Sequence, residues 1–308
     1  MQASVSGDHT TVLSVDGVSK SFDGKRALEN VSLRASAGEL IGLVGANGGG
    51  KTTLLRHLTG MLSADVGRVT LLSGEPPFDE DVRRQIGYVP QVLSLYGGMT
   101  VRENLTFYAD VYQVDDPATT ITDTAARFEL DQFLDKRVCD LSGGWARVAQ
   151  LAASLVYMPQ ILLLDEPTAG LDASMRARFW SFLRHYSNEG NTVVISTHDL
   201  DEAQQCDKIM FLSGGKTLFL DTPQAIIQEV NSAILHIENN NILEEVNTAV
   251  KDMANCLLQE YLGGVKILAA AQNAVELEQS LKGAGVSFQR LRPTLSDVCS
   301  LKLAEVNS

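Results

Sequence analysis

The sequence predicts an α/β fold built on a parallel sheet, and three observations carry that expectation. First, the short apolar run Leu40-Ile41-Gly42-Leu43-Val44 precedes a glycine loop, and Leu54, Leu55, Leu58, Met61 and Leu62 follow it at helical spacing. Second, runs with strand character alternate with helical patterns from there to about Leu220. Third, Ile161-Leu162-Leu163-Leu164 reads as a buried strand that ends on two carboxylates, Asp165 and Glu166. The C-terminal edge of a parallel strand is where α/β sheets bind phosphates and metals.

The glycine loop runs Gly45-Ala46-Asn47-Gly48-Gly49-Gly50-Lys51-Thr52-Thr53, with the spacing G-x-x-x-x-G-K-[ST]. Glycines let backbone N–H groups turn inward around an anion with no Cβ in the way. The following helix adds its positive end. Lys51 brings a mobile charge suited to β- and γ-phosphates, and the Thr52 hydroxyl can reach Mg²⁺. The bland alternative is a glycine turn that happens to precede a lysine. The flanking strand and helix argue against it.

Taken in order, residues 1–10 are polar and are expected to form a disordered tail. From Thr11 to Glu39 the pattern is β-branched and broken by Gly17, Gly24 and Gly38, which predicts antiparallel strands. Beyond the loop helix, Val69–Leu72 and Ile86–Val89 read as strands. Thr100 and Glu103 form a capping box, with Val101, Leu105, Tyr108 and Tyr112 on one helical face behind it. Charged helical patterning continues to about Asp140. Ser142 caps a helix that buries Val148, Leu151, Ala152 and Leu155 and stops before Pro159. Ala173–Gly190 is an amphipathic helix with Met175, Phe179, Phe182, Leu183 and Tyr186. Thr192–Ser196 is the next strand, and Ile209–Leu220 a hairpin about Gly214-Gly215.

Composition shifts after Pro223, and a junction is expected near Gln228, giving a first domain over 11–228 and a second over 229–308. The second offers a strand (Ala233–Glu238), a helix (Leu243–Met253), a hairpin (Leu257–Leu262 and Val265–Ala270), a helix (Val275–Leu281) and a strand (Val286–Leu291). That β-α-β-β-α-β order is the split βαβ arrangement, whose open sheet face is suited to packing.

Composition excludes several classes. The chain has 308 residues, 44% of them hydrophobic, enough for one large or two smaller domains. A formal net charge of −13 argues against a surface that coats nucleic acid. Cys139, Cys206, Cys256 and Cys299 are scattered with no CxxC pair, so neither a zinc site nor a disulfide framework is indicated and a reducing compartment fits. No secretory signal is visible at the N-terminus. No run of 18 or more apolar residues exists; Lys266 interrupts Val265–Ala271.

Further motifs carry chemistry. Asp165 could hold Mg²⁺ and Glu166 could polarise a water; read alone, the pair could equally solvate a strand end. Leu141-Ser142-Gly143-Gly144-Trp145 is a second glycine-bearing helix start and an anion site by the same physics, though alone an ordinary serine cap explains it. Gln91 ends the strand Tyr88-Val89-Pro90, and His198 ends another in Ser196-Thr197-His198-Asp199-Leu200. A lone histidine is more often structural.

In the order glycine loop, Gln91, Leu141–Gly144, Asp165-Glu166, Asp172 and His198, these motifs resemble the nucleotide-binding subunit of ATP-binding cassette (ABC) transporters over about residues 11 to 225. The resemblance implies a RecA-like P-loop ATPase core, an antiparallel β subdomain, and a helical subdomain over about 92–158. It also implies that two cassettes dimerise head to tail with ATP between the glycine loop of one and the Ser142 helix of the other. By it, Phe22 stacks on adenine, where the family more often has tyrosine; the competing reading is a buried hairpin aromatic. Gly45 to Thr53 hold the phosphates. Thr52, Asp165 and Gln91 surround Mg²⁺ and the attacking water, Glu166 is the general base, and His198 orients the γ-phosphate. Ser142, Gly143 and Gly144 bind the ATP of the other subunit, and Asp172 lies across the dimer seam.

Trp145 departs from the pattern, which has glutamine there. It is expected to mark the branch or pack against the partner domain, and hydrolysis is expected to survive. Leu93 to Leu105, with Met99-Thr100-Val101-Arg102-Glu103-Asn104-Leu105, and the ending Arg292-Pro293-Thr294-Leu295-Ser296-Asp297-Val298 resemble ATPases of drug-, ion- and polysaccharide-export systems. Those pair with separately encoded permeases. The expected function is therefore an ATP-hydrolysing export motor; one cassette, no heptad run and an acidic balance argue against the ribosome- or DNA-acting ATPases, which typically carry two cassettes or a long coiled-coil insertion. A non-transport ATPase and an importer ATPase are the alternatives. The expected partners are a permease and a second copy of the chain, with no nucleic acid, on the cytoplasmic face of a membrane.

Overall fold

The computed structural model describes residues 11–72, 74–229, 232–238, 246–247, 250 and 256–307. The expected N-terminal tail lies outside them, as does most of the expected helix Leu243–Met253. The chain divides into two compact units, one ending at Leu220 and the other beginning at Asp221.

The first unit opens on strands β1 (Thr11–Phe22) and β2 (Lys25–Ser36), joined by a turn with Asp23 and Gly24 at positive φ. With β4 (Val66–Leu71) they form an antiparallel sheet in the order β2-β1-β4. Leu13, Val15 and Val18 of β1 and Val31 and Leu33 of β2 are buried beneath it.

The parallel core follows. Strand β3 (Leu40–Val44) is buried along its whole length and pairs in parallel with β7 (Thr192–Thr197) and β8 (Lys208–Ser213). With β5 (Ile86–Val89), β6 (Ile161–Asp165) and β9 (Lys216–Asp221), the sheet runs β5-β6-β7-β3-β8-β9. Continuous apolar strands of this kind are what burial on both faces demands. Helix α1 (Lys51–Leu58) is shorter than the leucine pattern predicts, so Met61 and Leu62 lie beyond it and Met61 is exposed. Gly60, at φ +71°, ends the helix in the left-handed conformation. A short helix α2 (Glu80–Arg83), capped by Asp79, leads into β5.

Between β5 and β6 the chain builds a separate apolar cluster. Helix α3 (Val101–Val111) starts on the predicted capping box of Thr100 and Glu103. Helices α4 (Pro117–Arg127) and α5 (Gly143–Leu155) pack on it around Leu105, Ile121, Leu130, Ala149 and Val156. Trp145, half-buried, packs against this cluster, its ring centroid 4.6 Å from that of Phe133, so within the chain it extends the helical subdomain's own core. Helix α6 (Ala173–Asn188) and the single-turn α7 (Leu200–Ala203) complete the unit.

The second unit begins with helix α8 (Pro223–Glu229), which packs with the closing helix. The division therefore falls ahead of α8, eight residues before the junction expected after Gln228. Strands β10 (Ser232–Ile237), β11 (Cys256–Tyr261), β12 (Gly264–Ala270) and β13 (Gln289–Leu291) form an antiparallel sheet in the order β11-β12-β10-β13. This is the split βαβ topology, with β12 between β10 and β11. One face carries Leu235, Ile237, Val265 and Ile267, packed with Val246, Val250 and with Leu277 and Leu281 of α9 (Ala271–Gly283).

The other face is not open, contrary to expectation. Helix α10 (Leu295–Asn307) covers it, with Leu301 against Ile234 and Leu268. Asp297 fixes the start of that helix. It accepts hydrogen bonds from Thr294 N (2.9 Å) and Thr294 Oγ1 (2.7 Å) and pairs with the buried Lys266 at 2.5 Å. The residues from Arg292 to Val298 thus have a structural role: they start the helix that closes the sheet.

Candidate active site

The site is assembled at the C-terminal ends of β3, β6 and β7. The glycine loop leaves β3 through Gly45, at φ +147°, where a Cβ would stand 2.1 Å from the Leu212 carbonyl oxygen. It enters α1 through Gly50, at φ +112°, where a Cβ would meet Leu28 Cδ2 at 2.8 Å and Ala27 O at 2.9 Å. Only glycine fits either position. Lys51 is buried, and its ammonium donates to Gly45 O (2.7 Å) and Ala46 O (3.3 Å). Its charge is thereby held over the loop, beside the N-terminal end of α1.

Glu166 is the residue on which the other groups converge. Its Oε1 lies 3.5 Å from Lys51 Nζ. Its Oε2 accepts from Gln91 Nε2 at 3.1 Å and lies 3.6 Å from His198 Nδ1. Three motifs from different parts of the chain thus meet at one carboxylate. The backbone of Glu166 has φ +46°, a left-handed conformation uncommon outside glycine. Its N–H donates to Ser196 Oγ (2.9 Å) and Ser196 O (3.2 Å), so β7 holds the strained residue in place. The Ser196 hydroxyl in turn donates to Asp165 Oδ1 at 2.6 Å.

The remaining predicted residues stand apart from this cluster. Ser142 caps α5, accepting from Trp145 N at 3.5 Å, and Asp172 caps α6, accepting from Met175 N at 2.9 Å. These two caps are neighbours: a Cβ on Gly144 would stand 2.7 Å from Met175 Sδ. Gly143 is exposed beside them. Phe22 is 44% exposed at the tip of β1, with Lys20 Nζ 5.7 Å from its ring centroid, which rules out the buried-aromatic reading. One chain therefore carries two separate groups of site residues. The glycine loop, Gln91, Asp165, Glu166 and His198 form the first; Ser142, Gly143, Gly144 and Asp172 form the second.

Sequence reasoning missed the residues that hold these motifs. Arg147 and Gln150 project from α5 onto the loop that carries Gln91. Arg147 donates to Pro90 O (3.4 Å) and Gln91 O, and Gln150 Nε2 donates to Val92 O (3.1 Å) and Ser94 Oγ (3.1 Å). Gln150 is buried, where an amide needs partners, but that burial is set by other elements and no local sequence pattern marks it.

As for Mg²⁺, Thr52, Asp165 and Gln91 offer a hydroxyl, a carboxylate and an amide. Among the described residues no group of three His, Cys, Asp or Glu side chains is placed to hold a metal unaided. A sparse set of oxygen donors suits an ion that arrives with phosphate oxygens, as Mg²⁺ does.

Comparison with known proteins bears on the same residues. A family described as "ABC transporter" matches residues 28–169, and one described as "AAA domain, putative AbiEii toxin, Type IV TA system" matches residues 137–202. The chain is similar to the Nod factor export ATP-binding protein I of Rhizobium leguminosarum bv. viciae, at 39% identity over 69% of this chain and 70% of the relative. It is similar to the protein of that name from Rhizobium sp. (strain N33), at 33% identity over 92% of this chain and 93% of the relative. Among solved structures it resembles a dimeric ATP-binding cassette in a post-hydrolysis state bound to ADP and Pi, with TM-score 0.64 and 26% identity over 68% of this chain and 98% of that one.

Proposed function

Because the chain belongs to the ABC transporter ATP-binding family, we propose that it is the ATP-hydrolysing motor subunit of an export system, working through a separately encoded permease. The observation that carries the mechanism is the convergence of Lys51, Gln91 and His198 on Glu166, beside the glycine loop.

The loop amides and Lys51 hold the β- and γ-phosphates of ATP. Thr52, Asp165 and Gln91 would hold Mg²⁺, which would offset phosphate charge there. Glu166 accepts a proton from water as the water oxygen bonds to the γ-phosphorus; the bond from that phosphorus to the bridging oxygen breaks, and ADP leaves. Gln91 and His198 fix the direction of the Glu166 carboxylate and of the water. Phe22, exposed at the tip of β1, offers a ring to adenine.

The second group of residues completes a site on another copy of the chain. Ser142, Gly143 and Gly144 meet the γ-phosphate bound by the other copy, and Asp172 faces the seam. The separation of the two groups within one chain supports this pairing, as does the likeness to a dimeric cassette. No described helix is long and apolar enough to cross a membrane. The chain meets the cytoplasmic face of a membrane through its permease, a reading supported by its likeness to export ATP-binding proteins. The likeness to export ATP-binding proteins favours export.

The test is phosphate release by the chain reconstituted with its permease in vesicles. Mg²⁺-dependent release that disappears in Lys51→Ala, together with loss of ATP binding in that variant, is the expected result. A wild-type chain that binds ATP with its permease present yet releases no phosphate overturns the proposal.

A further inference from the structure

Glu202 lies outside every motif used so far, yet it is a buried carboxylate placed between two of them. It sits on α7, just beyond His198. Its Oε2 accepts from Thr168 Oγ1 at 2.9 Å and from Thr197 Oγ1 at 2.9 Å. Thr168 is on the loop that runs from Glu166 to Asp172. Thr197 immediately precedes His198, and its hydroxyl also accepts from Asp199 N at 3.0 Å, closing the turn around the histidine. On the other side, Glu202 Oε1 lies 3.5 Å from Arg176 Nε. Arg176 is in the first turn of the helix that Asp172 caps; it also pairs with Asp199 at 3.5 Å and donates to Leu171 O at 3.4 Å.

We infer that Glu202 is a positioning residue that ties the Asp172 loop to the His198 loop, so that a displacement at the dimer seam is delivered to the histidine beside Glu166. This rests on the proposed ATPase function. The physical argument is burial and valence. A buried carboxylate is costly unless it is compensated, so both threonine hydroxyls are held to it by hydrogen bonds and the guanidinium by charge, at 3.5 Å. Two loops bound to the same oxygen cannot move independently. His198 itself is 64% exposed, so its position comes from its backbone neighbours rather than from packing of its ring. Thr197 and Asp199, on either side of it, are both bound into the Glu202–Arg176 group.

The experiment is a double-mutant cycle on the full chain with its permease. Glu202→Ala is expected to lower kcat on the order of tenfold, leaving KM for ATP within about twofold. In a His198→Ala background it is expected to cost nothing further, because its effect runs through the histidine. Thr197→Val, which keeps shape and removes the hydroxyl, should act in the same direction and serves if Glu202→Ala fails to fold. An equal loss with and without His198 overturns the inference, as does an unchanged kcat in both variants.

A second measurement does not depend on hydrolysis. In ring-labelled protein, Glu202→Gln and Thr197→Val should shift the NMR resonance of His198 and leave those of His57, His185 and His236 in place. An unmoved His198 resonance in both variants refutes the tie. Absence of hydrolysis in the wild-type chain would count against the ATPase reading alone.

Discussion

Replacing Gln150 with leucine tests whether the helix that starts at Ser142 holds the Gln91 loop. Gln150 is 2% exposed, and its amide donates to Val92 O and Ser94 Oγ, each at 3.1 Å, while its oxygen accepts from Arg147 at 3.0 Å. Leucine is similar in size, so the change removes hydrogen bonds with little change in packing volume. Val92 and Ser94 are exposed and can turn to water, so each lost hydrogen bond costs about 0.5–1.5 kcal/mol, and for a unit of this size each kcal/mol lowers Tm by roughly 2–4 °C. The functional consequence is larger. With its anchor gone the loop shifts, and Gln91 leaves its 3.1 Å contact with Glu166. A displacement of about 1 Å in catalytic geometry costs on the order of 10²-fold in rate. Gln150 makes no hydrogen bond to residues 45–53, so ATP affinity is expected to stay within about twofold. Steady-state phosphate release and a fluorescent-nucleotide titration, both on the chain with its permease, read the two quantities. A variant with lowered Tm but wild-type kcat would refute the reasoning, since Gln91 would then be positioned without Gln150.

Other expectations follow from separate parts of the molecule. With ATP bound and Glu166→Gln blocking turnover, the chain should run as a dimer on gel filtration with light scattering; adding Ser142→Arg, at the cap of α5, should return it to monomer, and a monomer under both conditions would contradict in-trans completion. In the second unit, Asp297→Ala leaves Lys266 buried without its partner and should destabilise that unit by about 3–5 kcal/mol, measured by hydrogen exchange of β10 and β12; unchanged protection would show the pair to be dispensable. Burial holds the His57 imidazole below its ordinary pKa, outweighing its hydrogen bond to Thr53, so the folded state binds fewer protons than the unfolded one. Its contribution is therefore full above about pH 6.5 and is lost as pH falls through and below that value. Unfolding midpoints between pH 7.5 and about pH 5.5 should show a fall that is smaller in His57→Leu, and an identical fall would exclude the histidine as its source.

The legibility of this chain in its sequence follows the range of the interactions. The glycine loop, the Thr100–Glu103 capping box, the Ser142 cap and the buried strand ending at Asp165 are local, each set by a few adjacent residues, and all four stand where the sequence places them. Met61 and Leu62 continue the spacing of leucines in α1, but Gly60 stops the helix first, and that residue was the signal to weigh. The split βαβ order of the second unit could be read from its alternation. Its closing helix Leu295–Asn307 could not, because its start lies in Arg292 to Val298, which reads as a family-specific ending; the ion pair of Asp297 with Lys266, far apart in the chain, shows what that ending does. Arg147, Gln150 and Glu202 were missed for the same reason. Their partners lie on other elements, and nothing in their immediate neighbours marks them. Trp145, the departure from the family's pattern, becomes intelligible only through Phe133.

Glu166 is the residue on which the proposed chemistry turns. Its carboxylate is the point at which Lys51, Gln91 and His198 meet, and its role as base predicts that Glu166→Gln keeps ATP binding while kcat for phosphate release with the permease falls by about 10²–10⁴-fold. Phosphate release at the wild-type rate in that variant would contradict it.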